Sequence, residues 1–294
     1  MANHNIPRPR VACEVSIDQV VAARVGDKQT ALESASSQAL PAGALLPGLQ
    51  QANLAARSAV VDALRSSLSV VAGRSRDVVL VIPDSTTRIM LLDFDTLPEK
   101  HEDAEGVVRF RLKKSLPFDI DQSAVSFDRQ TADNGLRVIA AVTPRTVIDE
   151  YESAVREAGY NPGTVIPSMI AALGAVNAVQ PAMVIKVESG TTSFAIVDQN
   201  QLLLYRALEN GGALVTGESL IDDVNTSLVY FEDRYKVAID RLLLSGVQAG
   251  QALQAAFSDR SMRVEELVSS SLAGAAASSV SRTALAGVAG ALVS

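Results

Sequence analysis

Two polar turns, each flanked by apolar strand patterns, hold the residues of this chain that could contact phosphate. The second turn, residues 188–192, reads Glu-Ser-Gly-Thr-Thr. Its glycine leaves space for backbone N–H groups and hydroxyls to approach phosphate oxygens, and its carboxylate could orient metal-bound water. The same segment is also typical of an ordinary hairpin with a surface carboxylate, so both interpretations stay open. The candidate residues are Glu188, Ser189, Gly190, Thr191 and Thr192.

The first turn is less suited to phosphate. Residues 14–18 read Glu-Val-Ser-Ile-Asp and contain no glycine. Because Val15 and Ile17 carry branched side chains, we expect them to crowd any phosphate placed there. Ser16 and Asp18 are the candidate polar ligands, and Asp18 is either a group that orients metal-bound water or a surface carboxylate.

The composition excludes other chemistries. The chain has 294 residues, a net charge of −7, one cysteine and two histidines. Cys13 has no internal disulfide partner, which fits a reducing, cytoplasmic setting, and His4 and His101 cannot supply a zinc cage. No Walker A or Gly-x-Ser-x-Gly motif is present. Because an acidic chain lacks a broad basic face, we expect no binding to nucleic acid.

The elements that must position the two turns repeat along the chain. The first half predicts a strand-turn-strand at 11–25, a third strand near 29–34, a helix at 51–70 and a buried strand at 77–82. The second half predicts strands at 183–187, 194–197 and 202–208, a helix over 214–231 and a strand at 242–244. This echo indicates an α/β protein with an internal duplication.

Between the halves the pattern changes. Residues 87–94 predict a strand, 103–115 a helix, and 125–142 a hairpin around Asp133-Asn134-Gly135. A helix beginning at Thr143-Pro144 and ending at Gly159 follows.

Two apolar segments raise the question of a membrane. Residues 165–185 carry no charge over 21 positions, but prolines and amides interrupt them, so we predict a helix ending near Gln180 and a buried strand at 182–187. The small-residue helix at 282–293 predicts a packed domain helix rather than a membrane anchor. Residues 1–10 contain no apolar run typical of a signal peptide. We therefore predict a soluble protein without a transmembrane segment.

Four segments, taken in order, resemble a known family. They are residues 77–86 (DVVLVIPDST), 109–119 (RFRLKKSLPFD), 143–162 (TPRTVIDEYESAVREAGYNP) and 189–212. Their order resembles the actin-like ATPase superfamily: an α/β fold of duplicated β-β-β-α-β halves with an inserted strand-helix-strand-strand (SHS2-type) subdomain. More narrowly, the chain resembles the PilM family of cytoplasmic type IV pilus assembly proteins, which is related to the cell-division protein FtsA. The resemblance implies a first half at 1–84, an inserted subdomain at 85–143, returning helices at 144–181 and a second half at 182–294.

The resemblance implies a nucleotide site between the two turns, with ATP and Mg²⁺ as cofactors. The family commonly has Asp where Glu188 stands, and it has paired glycines at the adenosine-side turn, where this chain keeps only Gly246. Gly211 and Gly212 either contribute to that site or form a turn before a helix. The glycine-free first turn favours a degenerate site, and we assign no catalytic or metal-binding residue.

The resemblance also implies a partner. In the family, a groove between the first half and the inserted unit binds the cytoplasmic tail of the inner-membrane protein PilN. The candidate residues here are Arg109, Arg111, Leu116, Pro117 and Phe118, although a basic run is also typical of a solvated helix face. The predicted function is a cytoplasmic adaptor of type IV pilus or related secretion assembly, held at the inner membrane by its partner and contacting other pilus assembly proteins. The alternative is an active actin-like ATPase or a sugar-kinase-like phosphotransferase.

Overall fold

The computed structural model describes residues 8–28, 30–132, 135–210, 217–246, 250–260 and 262–293. The strands in these ranges are β1 (Val11–Val15), β2 (Gln19–Val25), β3 (Leu32–Ala39), β4 (Asp77–Ile82), β5 (Arg88–Phe94), β6 (Ser123–Ala132), β7 (Gly135–Pro144), β8 (Asn161–Pro167), β9 (Ala182–Glu188), β10 (Thr191–Asp198), β11 (Gln201–Glu209), β12 (Arg241–Ser245) and β13 (Arg263–Glu266). The α-helices are α1 (Arg57–Val71), α2 (His101–Leu112), α3 (Arg145–Glu157), α4 (Ser168–Leu173), α5 (Gly217–Tyr235), α6 (Gly250–Ala256), α7 (Ser270–Ala273) and α8 (Ala286–Val293).

Two five-stranded sheets have the same topology. The first sheet has the strand order β3-β2-β1-β4-β8, and the second has the order β11-β10-β9-β12-β13. In each sheet the central strand pairs antiparallel with the next strand of the chain and parallel with a strand that follows a helix. β1 is wholly buried and so is β4 after its first residue, as expected for strands with helices on both faces. The predicted internal duplication within an α/β fold is confirmed.

A three-stranded sheet, in the order β5-β7-β6, is inserted between β4 and β8. The chain order is β5, α2, β6, β7, as predicted from the sequence. β6 and β7 form a hairpin, and β7 begins at Gly135. The φ of Gly135 is +101°, a conformation that favours glycine. Asp133 and Asn134 of the predicted turn lie outside the described residues.

The helices form three layers with the two large sheets. α1 places an apolar stripe containing Val60, Leu64 and Leu68 on the outer face of the first sheet, beside α3. α5 and α6 cover the outer face of the second sheet. α4 and α8 lie between the sheets, in a core that both inner faces share.

The helix α8 fits between the sheets because its side chains are small. It reads AGVAGALV, and all but its last residue are buried. Gly290 lies so close to the carbonyl oxygen of Ala171 in α4 that a Cβ atom there would overlap it. This is the packed helix that the sequence predicts, although it begins at Ala286, after a short 3₁₀ turn at Arg282–Ala284. Within the described ranges, no helix is long and apolar enough to cross a membrane.

Two predicted element bounds were wrong, and one strand of the first sheet was missed. The helix expected to reach Gln180 is α4, which ends at Leu173 because Gly174 and the following residues turn back on it. The strand expected near 29–34 is β3, which runs to Ala39 because its serine-rich sequence pairs with β2 along that whole length. β8 was missed because proline and glycine, at Pro162 and Gly163, are unusual within strands. β8 can contain both residues because it is an edge strand of the first sheet.

Candidate functional site

The turns after β1 and β9 meet at a cavity of about 590 Å³, which we name the two-turn cavity. Five of the residues predicted to bind nucleotide line it: Ser16, Asp18, Glu188, Ser189 and Gly246. The rest of its wall includes hydroxyl side chains from the segment before α8, at residues 279–283. The predicted convergence of the two turns is therefore present.

The other predicted nucleotide ligands lie elsewhere. Gly190 and Thr191 line a neighbouring cavity. Thr192 is buried in β10, where its Oγ1 accepts a hydrogen bond of 3.0 Å from Asn210 Nδ2. Gly211 and Gly212 lie outside the described residues.

A buried ion cluster that the sequence did not reveal lies at the base of the two-turn cavity. Lys186 Nζ, on β9, donates a hydrogen bond of 2.9 Å to Glu14 Oε1 at the end of β1 and forms a second ion pair with Glu188. Ser168 Oγ, at the start of α4, contacts both carboxylates. The side chains of the three charged residues are 6–12% exposed. The cluster therefore joins the first sheet to the second by charge.

The helix α8 closes the cluster from behind. A Cβ atom at Gly287 would overlap the carboxylate of Glu14, so the glycine is what allows helix and carboxylate to lie in contact. The charge in the centre of the apolar strand AMVIKVE is the one sequence signal that could have marked Lys186, because an isolated buried lysine requires a carboxylate partner.

The ionisation of the cluster follows from burial and mutual attraction. Burial by itself would lower the pKa of Lys186, but the adjacent Glu14 and Glu188 carboxylates raise that pKa above its usual range. Burial raises the pKa of Glu14, and Lys186 opposes that rise. The ammonium group is thus retained as a cation, in ion pairs with two carboxylates.

A further buried carboxylate, Asp84, lies next to the cluster in the turn after β4. Its Oδ1 accepts a hydrogen bond of 2.8 Å from the backbone N–H of Met169, and its Oδ2 accepts one of 2.7 Å from Ser193 Oγ. Burial, and then the charge of Glu188, raise the pKa of Asp84 to about 7. Asp84 therefore connects three elements and changes its charge near neutral pH.

The first turn is folded on its own polar groups. Ser16 Oγ lies 2.9 Å from Asp18 Oδ1 and 3.0 Å from the carbonyl oxygen of Gln19. Ile17 reaches across to the second turn, where a Cβ atom added at Gly190 would lie 3.0 Å from Ile17 Cδ1. The expected crowding by Ile17 therefore falls directly on the glycine that would approach a phosphate.

Gly246 has a structural reason to be glycine. Its φ is +86°, and a Cβ atom would overlap the carbonyl oxygen of Val187. Its backbone N–H donates to the carbonyl oxygen of Thr283, which also accepts a 2.8 Å hydrogen bond from Ser245 Oγ. The glycine is required for the close approach of these segments.

These observations test whether ATP with Mg²⁺ fits the two-turn cavity. Such a ligand requires uncommitted positive charge and backbone N–H groups for the phosphates, and free carboxylates for the metal shell. Here Lys186 is paired with both acidic side chains, and Ile17 packs at the glycine of the second turn. In the described part of the chain, no group of three histidine, cysteine or acidic side chains is arranged to hold a metal. The residues present do not fit the nucleotide.

The residues predicted to bind a partner fall into two groups: some support the inserted unit, and others are exposed. Arg109 is partly buried, pairs with Glu105 at 2.7 Å and donates to the carbonyl oxygen of Ile120. Leu116 and Phe118 pack on the core of the inserted sheet, so they support the fold. Arg111 and Pro117 are exposed.

Pro117 lies at a cavity of about 640 Å³ between the inserted unit and residues 47–51 of the first half. Gln50 Nε2 donates a hydrogen bond of 3.3 Å to the carbonyl oxygen of Pro117 across this cavity. Ile17, Arg88 and Gly190 also line it. We name this cavity the Gln50 groove.

Solved structures share this fold over nearly the whole chain. A chain of the PilM-PilN type IV pilus biogenesis complex matches with a TM-score of 0.77 and 18% identity, over 98% of each chain. This chain has the fold of PilM. A protein of actin-like ATPase fold and unknown function from Bacteroides thetaiotaomicron matches with a TM-score of 0.54 and 12% identity, over 87% of this chain and 89% of that one.

The cytoplasmic domain of EpsL, an inner-membrane component of the Vibrio cholerae type II secretion system, is also similar. Its TM-score is 0.52 at 10% identity, over 88% of this chain and 97% of that one. No family model and no curated protein sequence matches the chain. The resemblance to PilM and to the actin-like ATPases is therefore confirmed at the level of the fold.

Proposed function

We propose that this chain is a cytoplasmic adaptor of type IV pilus assembly, or of a related secretion system, which binds the cytoplasmic tail of an inner-membrane partner. The observation that carries the proposal is the match to PilM over 98% of both chains, since that structure is a complex with PilN. The tail of a PilN-like partner would hold the chain at the membrane, and other assembly proteins would contact it there. An acidic net charge of −7 favours attachment through a protein over direct contact with anionic lipid.

The Gln50 groove is the site that suits such a tail. It lies between the first half and the inserted unit, and it combines apolar side chains such as Leu49 with polar groups such as Gln50 and Arg88. Extended peptides bind in grooves of this kind through a few anchored apolar side chains and backbone hydrogen bonds. Leu116 and Phe118 are not suitable probes of it, because changing them would disturb the inserted core.

Leu49→Asp tests the groove. A charge placed beside the tail should weaken binding about tenfold or more, measured by calorimetry with a synthetic peptide of the cytoplasmic tail of the PilN homologue from the same organism. Val70→Asp is the matched control, since Val70 is 63% exposed on α1 and lies outside the groove.

The possible outcomes distinguish the proposed adaptor function from the proposed binding site. Equal binding by wild type and Leu49→Asp would show that the tail binds elsewhere. No binding by wild type would contradict the adaptor itself.

The proposed adaptor has a degenerate nucleotide site. The support for this is the Lys186 cluster and the contact between Ile17 and Gly190. We expect calorimetry with Mg-ATP to give no saturable heat and phosphate-release assays to give no turnover. Saturable binding with turnover that is lost on substitution of Gly190 would favour the alternative, an actin-like ATPase or sugar-kinase-like phosphotransferase.

A further inference from the structure

A second groove, separate from both cavities above, lies between the inserted sheet and the second half. Its volume is about 660 Å³. β5 and β7 form one wall, β11 the second and the C-terminal half of α5 the third. The apolar side chains that line it are Ile89, Leu91, Leu203 and Leu204. We name it the arginine groove for the charges described next.

Three arginines line this groove against one carboxylate. Arg137 Nε donates a 2.9 Å hydrogen bond to Asp93, which neutralises that pair. Arg206 donates a hydrogen bond of 3.4 Å to the hydroxyl of Ser227, and the guanidinium of Arg234 lies 5.7 Å from the ring centroid of Tyr235. Across the described residues, no carboxylate lies within salt-bridge distance of Arg206 or Arg234. Two uncompensated positive charges therefore face one groove of a chain whose net charge is −7.

The groove also lies between two sheet edges. In the described ranges, β5 pairs only with β7, and β11 pairs only with β10. The two edges approach each other at one end, where Arg88 and Glu209 are 3.7 Å apart. Beyond that end, an extended chain can add to the free edge of β5 through backbone hydrogen bonds.

Tyr230 supplies an aromatic contact at the mouth of the groove. Its side chain is 54% exposed on α5, and Tyr235 behind it is held by a hydrogen bond of 3.1 Å to the carbonyl oxygen of Leu203. Exposed tyrosine beside arginine is the composition that protein interfaces favour. The groove thus has an apolar floor, an aromatic rim and unpaired cations.

We propose that the arginine groove binds an extended acidic segment of a partner protein, which adds to the β5 edge, places apolar side chains on Ile89 and Leu91, and pairs its carboxylates with Arg206 and Arg234. Alternating apolar and acidic residues match a strand of this kind, because successive side chains point to opposite faces. The proposal is independent of the tail that the Gln50 groove is proposed to take.

The probe is a fluorescein-labelled peptide, acetylated and amidated, that alternates leucine and aspartate over seven residues, the length of β5. Fluorescence anisotropy should show binding that roughly 0.5 M NaCl weakens. A peptide with lysine in place of aspartate should not bind. Amide hydrogen exchange of the wild-type protein should show new protection at β5 with the acidic peptide alone.

The double variant Arg206→Glu/Arg234→Glu should bind the acidic peptide about tenfold or more weakly. Arg241→Glu/Arg263→Glu is the matched control, because it makes the same change of net charge on the half-buried Arg241 of β12 and the exposed Arg263 of β13, which lie outside the groove. Its affinity should stay within about twofold of wild type. If the first double variant fails to fold, Tyr230→Ala replaces it, and a several-fold loss of affinity is expected.

Three results would overturn the proposal. They are equal binding by the two double variants, equal binding of the lysine peptide, and absence of binding to wild type. Displacement of the acidic peptide by AMP, with the same dependence on Arg206 and Arg234, would instead assign the groove to small aromatic anions and would also overturn it.

Discussion

Lys186 is the residue on which the two-turn cavity depends, because it is the buried cation between a carboxylate of the first sheet and one of the second. Because the ammonium group and these two carboxylates are paired with each other, the ammonium is committed to them and is not free to bind a phosphate. The cavity lies between the two duplicated halves, and Lys186 is paired there with two carboxylates, Glu14 and Glu188. At the residue scale, the site is therefore built for cohesion between the sheets.

Removing the cation should be costly. Lys186→Met leaves Glu14 and Glu188 buried without their partner, and we expect a loss of about 3–5 kcal/mol in the free energy of unfolding, measured with denaturant. The control is Lys236→Met. Lys236 is exposed and directly follows α5, so this change should alter the free energy of unfolding by less than about 1 kcal/mol. Adding Glu14→Gln to Lys186→Met should restore part of the loss, and an unchanged or larger loss would contradict the cluster.

Asp84 should give the chain a measurable pH dependence. Its pKa rises from 3.8 to about 7 on folding, so the folded state binds the extra proton between about pH 4 and pH 7. That contribution to stability is complete below pH 4 and is lost as the pH rises through 7. In Asp84→Asn the amide oxygen still accepts from the backbone N–H of Met169, while the amide nitrogen can only donate to Ser193 Oγ, which reverses that hydrogen bond. Because the amide does not titrate, we expect the stability of this variant relative to wild type to rise by about 1–3 kcal/mol between about pH 5 and pH 8.

The control for this measurement is Asp62→Asn, which removes the same charge from an exposed position on α1. Chemical denaturation at several pH values measures the difference. A stability difference between Asp84→Asn and wild type that does not change with pH would show that Asp84 titrates near its ordinary value.

At the scale of elements, α8 shows how a small-residue helix can occupy the space between two sheets. Its glycines lie where a larger side chain would meet Glu14 or the backbone of α4. This close packing brings the α4 serine and the β1 carboxylate together, so the ion cluster depends on helix geometry as well as on charge.

Gly290→Ala tests that packing. The added Cβ would overlap the carbonyl oxygen of Ala171, and we expect a loss of about 1–3 kcal/mol from overpacking. Gly106→Ala is the matched control, since nothing lies within 4 Å of its added Cβ in the exposed face of α2. It should gain up to about 1 kcal/mol from helix propensity. Thermal unfolding of both variants checks the contrast, and a stabilised Gly290→Ala would contradict the close contact.

At the scale of the whole molecule, one apolar core lies between the inner faces of both large sheets, whereas the inserted sheet packs around a core of its own. Stability should therefore be shared between the two halves and less so with the inserted unit. Both grooves proposed as binding surfaces lie along the borders of that unit.

Leu292→Ala and Leu112→Ala distinguish these cores by hydrogen exchange. Leu292 is 1% exposed in α8, and its truncation should cost about 2–5 kcal/mol and lower amide protection in β1 and β9 together. Leu112 belongs to the inserted core, and its truncation should lower protection chiefly in β6 and β7. A loss confined to a single large sheet in Leu292→Ala would contradict the shared core.

The sequence by itself determined the repeated strand order, the inserted strand-helix-strand-strand unit and the packed C-terminal helix, because each depends on local periodicity and small-residue composition. β8 and the end of β3 were not predicted, because their sequences lack the apolar alternation typical of strands. Only the tertiary structure decided the pairing of Lys186 with Glu14, which lie 172 positions apart. Local periodicity carries no information about partners so distant, and the same reason kept the unpaired arginines of β11 and α5 from being recognised as one groove.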